Sequence, residues 1–194
     1  SELCYLEEQG HDLAAFRRAF REGRVVSSLE GEFDHKSIFE VFTNPEYAHA
    51  FTQAERRCFA RYLMWTRLLR DTKTTGPTGK MIDLLSFTRR TQAQLVLKPN
   101  RLYGGKGVVF GKEVTRKQWE ARIAHALTEP GEWVIQRGAP VRKKRFFRRG
   151  ERGGTAEKDL YVVSGLFATE RGLGIVGRMS EGRVVNVARR GGLT

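Results

Sequence analysis

The sequence is poor in the residues that staple, chelate or span. Its 194 residues include 2 cysteines, Cys4 and Cys58, and their spacing fits no Cys-x-x-Cys metal or redox pattern. One disulfide or two reduced thiols would satisfy that count; reduced thiols in a cytoplasmic protein are the expectation. The 4 histidines, His11, His35, His49 and His125, form no His-Glu-x-x-His or paired-ligand spacing, so a zinc motif is excluded. No run of about 18 apolar residues exists, which excludes a membrane-spanning helix. The opening stretch, SELCYLEEQG, is acidic and polar, unlike a signal or transit peptide.

Acidic residues are scarce relative to basic ones, 22 against 35, for a net charge of +13. The imbalance is local. Residues 1–97 carry 14 basic and 13 acidic groups, whereas residues 98–194 carry 21 and 9. An anionic partner is therefore to be sought in the second half: a nucleic acid, an acidic lipid surface or a polyphosphate nucleotide. A hydrophobic content of 40% with 10% aromatics excludes a disordered tail and supports a packed core.

The first half reads as mostly helical. Leu13, Phe16, Ala19 and Phe20 share one helical face before Gly23. Val25 to Leu29 reads as a short strand, and Lys36 to Phe42 as a short helix capped from Asp34. Thr52 and Glu55 form a capping box for a helix that turns Phe59, Tyr62 and Leu63 inward. Residues 71–79 read as a polar turn, and residues 80–90 as a helix with Met81, Leu84, Leu85 and Thr88 at helical spacing. From Leu95 the texture changes to strands and glycine turns. Leu95–Leu97, Val108–Phe110, Trp133–Gln136, Asp159–Thr169, Gly174–Gly177 and Val184–Val187 read as strands. Thr115 and Gln118 box a helix that buries Trp119, Ile123 and Leu127. The fold class expected is α+β, with a helical first part and antiparallel sheets in the second.

Chemistry concentrates at Leu97-Lys98-Pro99-Asn100 followed by Tyr103-Gly104-Gly105-Lys106-Gly107-Val108. A buried strand delivers one lysine, and three glycines then surround another. Glycines let backbone N–H groups approach phosphate oxygens, and the lysines supply charge. No Gly-Lys-Ser/Thr follows, and Phe110 stands where a dinucleotide fingerprint needs a third glycine. Strand, glycine loop and strand form a hairpin that could fold over a triphosphate; an ordinary hairpin turn needing positive φ has the same pattern. Near the chain end, Arg178 and Asn186 sit on adjacent strands. An Asn carbonyl can ligate Mg²⁺ and an Arg can neutralise a transferring phosphoryl group; two plain strands with a polar turn would read the same way.

Residues 142–149, RKKRFFRR, interleave six cations with two aromatics. That suits phosphate contact and base stacking, or an exposed arm with its phenylalanines on the core face. Glu32-Phe33-Asp34-His35-Lys36 pairs acids with a histidine but places no nucleophile beside them, so Asp34 reads as a cap and leaves Lys36 at a helix start.

In this order the segments resemble the ATP-grasp superfamily from about Ser28 to the chain end. The order runs through Asp34-His35-Lys36-Ser37, Met64-Trp65-Thr66-Arg67, Leu97-Lys98-Pro99 with Tyr103–Gly107, Trp133-Val134-Ile135-Gln136, Arg178 and Asn186. The stretches LVLKPNRLYGGKGVVFG and VVNVARRGGL look closest to the circularly permuted, glutathionylspermidine-synthase-like branch. The resemblance divides the chain at about residue 90: residues 1–90 a helical and linker part with the first nucleotide lysine, residues 91–194 the lid and catalytic sheet. It implies that the substrate-binding part would precede residue 1, a fragment reading consistent with the absent initiator Met.

The resemblance also implies ATP and Mg²⁺ as cofactors. Lys36 and Lys98 would contact phosphates, Tyr103, Gly104, Gly105, Lys106 and Gly107 would close over them, and Gln136, Arg137 and Ala139 would meet the adenine. Asn186 would help hold Mg²⁺ and Arg178 would stabilise the transferred phosphoryl group. Val184 stands where the family often has a metal-binding Glu, with Asp159 on a neighbouring strand to compensate, and Arg190 replaces an expected glycine. The implied reaction is carboxylate–amine ligation through an acyl phosphate, on a small carboxylate and an amine or a peptide. Two other readings stay open: a nucleic-acid-binding module using the 142–152 arm, and an ATP-binding domain that has lost catalysis.

Overall fold

Leu95-Val96-Leu97, apolar without interruption, lies in the middle of a sheet buried on both faces, which is why it does not alternate with polar residues. The computed structural model describes residues 2–25, 35–102, 104–149, 154–183, 185 and 192–193. In chain order the elements are α1 (Glu2–Glu8), α2 (Ala14–Arg21), α3 (Ile38–Thr43), α4 (Gln53–Tyr62), β1 (Thr66–Leu68), β2 (Lys73–Thr75), β3 (Met81–Asp83), α5 (Leu84–Arg90), β4 (Leu95–Pro99), β5 (Val109–Phe110), α6 (Arg116–Leu127), β6 (Trp133–Arg137), β7 (Lys143–Arg149), β8 (Thr155–Thr169), β9 (Gly172–Ser180) and β10 (Gly192–Leu193). The fold is mixed α+β, with antiparallel sheets and several helices.

The first sheet has the order β1-β6-β4-β5 and the second the order β10-β9-β8-β7; β2 and β3 form a separate hairpin. The first sheet takes β1 from before residue 90 and its other strands from after it. One of its faces sends Leu95, Leu97, Trp133 and Ile135 into a core shared with Leu84 and Leu85 of α5 and with Trp119, Ile123 and Ala126 of α6. Full burial of each large apolar side chain contributes about 1.5–3 kcal/mol, so this face anchors the sheet. The other face carries Val96 and Lys98, paired in register with Gln136 and Val134.

Both expected capping boxes are present. Thr52 exchanges hydrogen bonds with Glu55, and Thr115 with Gln118, at the starts of α4 and α6. Several expectations need correction. Residues 71–79 are not only a turn, because Lys73–Thr75 pairs with Met81–Asp83. The helix expected over 80–90 therefore begins at Leu84, capped by Asp83, whose carboxylate accepts from Ser86 N at 2.8 Å. Leu84, Leu85 and Thr88 are buried as expected, but Met81 lies in the hairpin and is 66% exposed. Tyr62 ends α4 at 65% exposure rather than facing inward, and Phe16 on α2 is also exposed. Strand β7 pairs with β8 over its whole length, yet adjacent strand residues face opposite ways. Only Phe146 is half-buried; Phe147 is 75% exposed.

The helix expected from Lys36 begins at Ile38 with Ser37 at its N-cap, not Asp34; Asp34 itself and nearly all of the expected 25–29 and 184–187 strands lie outside the described residues. Cys58 is a free, exposed thiol. No helix among the described residues is long and apolar enough to cross a membrane.

Candidate functional site

Strands β4 and β6 present Lys98 and Gln136 to a cavity of about 420 Å³. Beyond them its walls are Val96, Phe110, Lys112, the segment Arg137–Val141 that leaves β6, and Arg183, which follows β9. The Lys98 ammonium donates to Gln136 Oε1 at 2.5 Å. Gln136 Nε2 donates in turn to Thr66 Oγ1 at 2.8 Å, and that hydroxyl donates to Met64 O at 2.9 Å. An ammonium can only donate, so the amide oxygen must face Lys98 and the amide nitrogen must face Thr66. This chain ties three neighbouring strands to the position of one charge.

Burial pushes the Lys98 ammonium below the ordinary lysine range, and repulsion from Lys36 lowers it further. Lys36 lies 62 residues earlier in the sequence, and Asn100 brings it close. Buried Asn100 receives the Ser37 N–H on Oδ1 at 2.8 Å, while its carbonyl accepts from Lys36 N at 3.1 Å and from the Lys36 ammonium at 3.2 Å. Its side-chain amide donates to Gly131 O at 2.9 Å and its backbone N–H to Glu132 O at 2.7 Å. One asparagine thus clips the start of α3 to the end of β4 and to the turn before β6. The Lys36 ammonium also reaches Leu102 O at 2.5 Å, at the entrance to the glycine turn.

Gly104, Gly105 and Gly107 all adopt positive φ, at 66°, 72° and 70°. The turn joins antiparallel strands, since Val96 faces Phe110 and Leu97 faces Val109. A Cβ at Gly107 would come within 2.5 Å of Pro99 Cγ, so this glycine serves close packing as well as its φ. Lys106 sits in the same turn and is exposed; Tyr103 lies outside the described residues.

On the second sheet, Arg178 pairs with Val163 and Ser180 with Tyr161. Cross-strand partners share a face, and so do alternate residues of one strand. Arg178, Tyr161 and Asp159 therefore occupy the same face. Arg183 of the cavity wall lies over the Tyr161 ring at 5.1 Å, and Lys143 approaches that ring at the same distance. Arg183 also pairs with Glu113 at 3.0 Å, which links the cavity wall to the segment after β5. Asp159 is exposed, with Arg145 at 3.6 Å. Asn186 and Val184 lie outside the described residues, as does Arg190. Among the described residues, no group of three His, Cys, Asp or Glu side chains could hold a metal ion.

The arrangement thus brings together Lys36, Lys98, Gln136, Arg137 and Ala139, with the glycine turn continuing from the same strand. Arg178 and Asp159 share a face elsewhere, on the second sheet. Sequence reasoning assigned no site role to Asn100, Phe110, Lys112, Tyr161 or Arg183. Asn100 was within reach, because a polar residue ending an apolar strand must find partners if buried. Chemically, the cavity is lined by the cations Lys98, Lys112, Arg137 and Arg183 together with Val96, Phe110, Ala139 and Pro140, which suits an anion attached to a flat, weakly polar body. No family model matches the chain, and no curated protein or solved structure matches it.

Proposed function

We propose that the chain is the ATP-grasp domain of an ATP- and Mg²⁺-dependent carboxylate–amine ligase. The observation that carries this reading is the meeting of Lys36 and Lys98, far apart in sequence, beside a cavity walled by the 136–140 segment. Part-buried Lys98 charge is held by a neutral amide among the described residues, and a triphosphate would offset the cost of its desolvation. Lys98 and Lys36 would hold the phosphates, the Gly104–Gly107 turn would cover them, and Gln136 to Ala139 would border the adenine. The reaction class moves the γ-phosphoryl group onto a carboxylate oxygen with loss of ADP; an amine nitrogen then forms the amide as phosphate leaves. Such chemistry asks the protein chiefly for positioning and charge neutralisation, the latter assigned to Arg178.

Mg²⁺ would supply charge neutralisation at the phosphates. Asp159 and Glu157 are the described carboxylates on the Arg178 face, and two exposed carboxylates that share Arg145 are not a complete metal site. The reading is tested by melting curves with saturating Mg-ATP. At about 100-fold over Kd, binding stabilises by about 2.7 kcal/mol, which raises Tm by about 5–10 °C. Lys98→Ala should remove that shift; an unchanged wild-type melting curve would overturn the reading. A domain that has lost catalysis would show the shift with no ATP turnover when carboxylate and amine are supplied.

A second reading, nucleic-acid binding, is favoured by Phe147, an exposed ring on the strand that also exposes Lys143, Lys144 and Arg145. It predicts affinity that falls steeply with salt and disappears when the 142–149 cations are neutralised.

A further inference from the structure

The segment that walls the Lys98 cavity has a second and larger cavity on it, of about 720 Å³. Arg137, Gly138 and Pro140 line both. The second cavity contains neither lysine of the first, and its walls are aromatic. Phe42, Phe51 and Phe59 form a mutually packed triad with ring centroids 4.9 to 5.8 Å apart. Trp65 lines it too, buried and fixed by its indole N–H donating to Thr75 O at 2.9 Å. All three phenylalanines are only half-buried. Apolar rings left part-exposed around a concavity of this size are the usual lining of a small-molecule site.

The helical spacing shows that this wall is built from one face. Arg56, Phe59, Ala60 and Leu63 recur at i, i+3, i+4 and i+7 along α4 and its cap, and all four line the cavity. Arg56 and Arg137 are the charged residues in the lining, with no Asp or Glu among the described residues there. Arg56 has one long hydrogen bond, from Nη1 to Ala48 O at 3.4 Å, which leaves most of its donors available. The Arg137 guanidinium meets no acceptor among the described residues. Thr43, Asn44 and Thr75 add short polar groups around the rings.

We infer that this cavity is a second ligand site, for a carboxylate with an aromatic or branched aliphatic body. The rings would cover the body and the Arg56 guanidinium would take the carboxylate. Arg is suited to this because its fork can bind both oxygens at once. The site is independent of the nucleotide reading, and either can fail alone.

Titration calorimetry with 4-phenylbutyrate tests it, with uncharged 4-phenylbutanamide for comparison. The acid should bind about tenfold tighter than the amide, the worth of one charge-assisted hydrogen bond. Arg56→Gln, on an exposed helix, should bring the acid down to the level of the amide, and Lys98→Ala should leave binding of the acid unchanged. Absence of binding at millimolar acid, equal binding of acid and amide, or insensitivity to Arg56→Gln would each overturn the assignment. Loss of binding in Lys98→Ala would place the probe in the other cavity and overturn it equally.

Discussion

Lys98 Nζ lies 2.5 Å from Gln136 Oε1 across the β4–β6 pair, so a half-buried ammonium is held by a neutral amide rather than by a carboxylate. The contact fixes the position of the charge without cancelling it. An anion entering the adjoining cavity finds a cation already oriented, in surroundings where charge is weakly screened.

The same arrangement lowers the stability of the ligand-free protein. Burial, and then repulsion from Lys36, lower the Lys98 pKa in the folded chain, so holding this group as an ammonium opposes folding. That opposition is relieved as pH rises through the folded pKa toward the unfolded value. Lys98→Met, which keeps the chain length of the stem, should raise the neutral Tm by about 2–4 °C without ligand. Urea midpoints of the variant and the wild type should converge as pH becomes alkaline.

Gln136→Glu would set a carboxylate against the same ammonium. It should stabilise the ligand-free protein and weaken nucleotide binding by about tenfold, because the new ion pair competes with phosphate for Lys98. Melting curves with and without Mg-ATP read both effects together.

Arg67 is 1% exposed and lies beside β2, with its five N–H groups all donating to neutral oxygens. These belong to Thr43, Thr66, Thr74 and Thr75, so one side chain joins the end of α3 to β1 and β2. Burial lowers its pKa to about 10, which still leaves it charged at neutral pH. Arg67→Leu should cost at least about 3 kcal/mol by urea unfolding, because several buried oxygens lose their donors. Arg67→Lys should recover only part of that loss, since an ammonium has three donors and no planar fork.

Gly107 and Gly131 have similar positive φ, 70° and 84°, in different surroundings. A Cβ at Gly131 meets nothing within 4 Å, whereas at Gly107 it would strike Pro99. Gly131→Ala should therefore cost about 1 kcal/mol, the backbone term alone. Gly107→Ala should cost more and displace the turn, and its thermal response to Mg-ATP should fall with it.

Much of this was legible in the sequence where local chemistry decides. The reciprocal pairs Thr52–Glu55 and Thr115–Gln118 marked two helix starts, and Trp119 and Ile123 marked the buried face of α6. The periodicity of Met81, Leu84, Leu85 and Thr88 misled because it continues across an element boundary. Gly76 and Gly79 allow a turn, residues 73–75 then pair with 81–83, and the helix starts four residues late, at Leu84, capped by Asp83. The approach of Lys36 to Lys98 could not be read locally, because it depends on Asn100 binding three separate segments. Arg183 and Tyr161 were missed for the same reason, as their contact crosses from a strand to the segment that follows another.

The most direct measurement is titration calorimetry of Mg-ATP into the wild-type chain and into Lys98→Met. Saturable binding of one nucleotide per chain, lost in the variant while its melting temperature holds or rises, is the result expected if Lys98 is the nucleotide lysine. Absence of binding to the wild type, or equal affinity in the variant, would contradict that role.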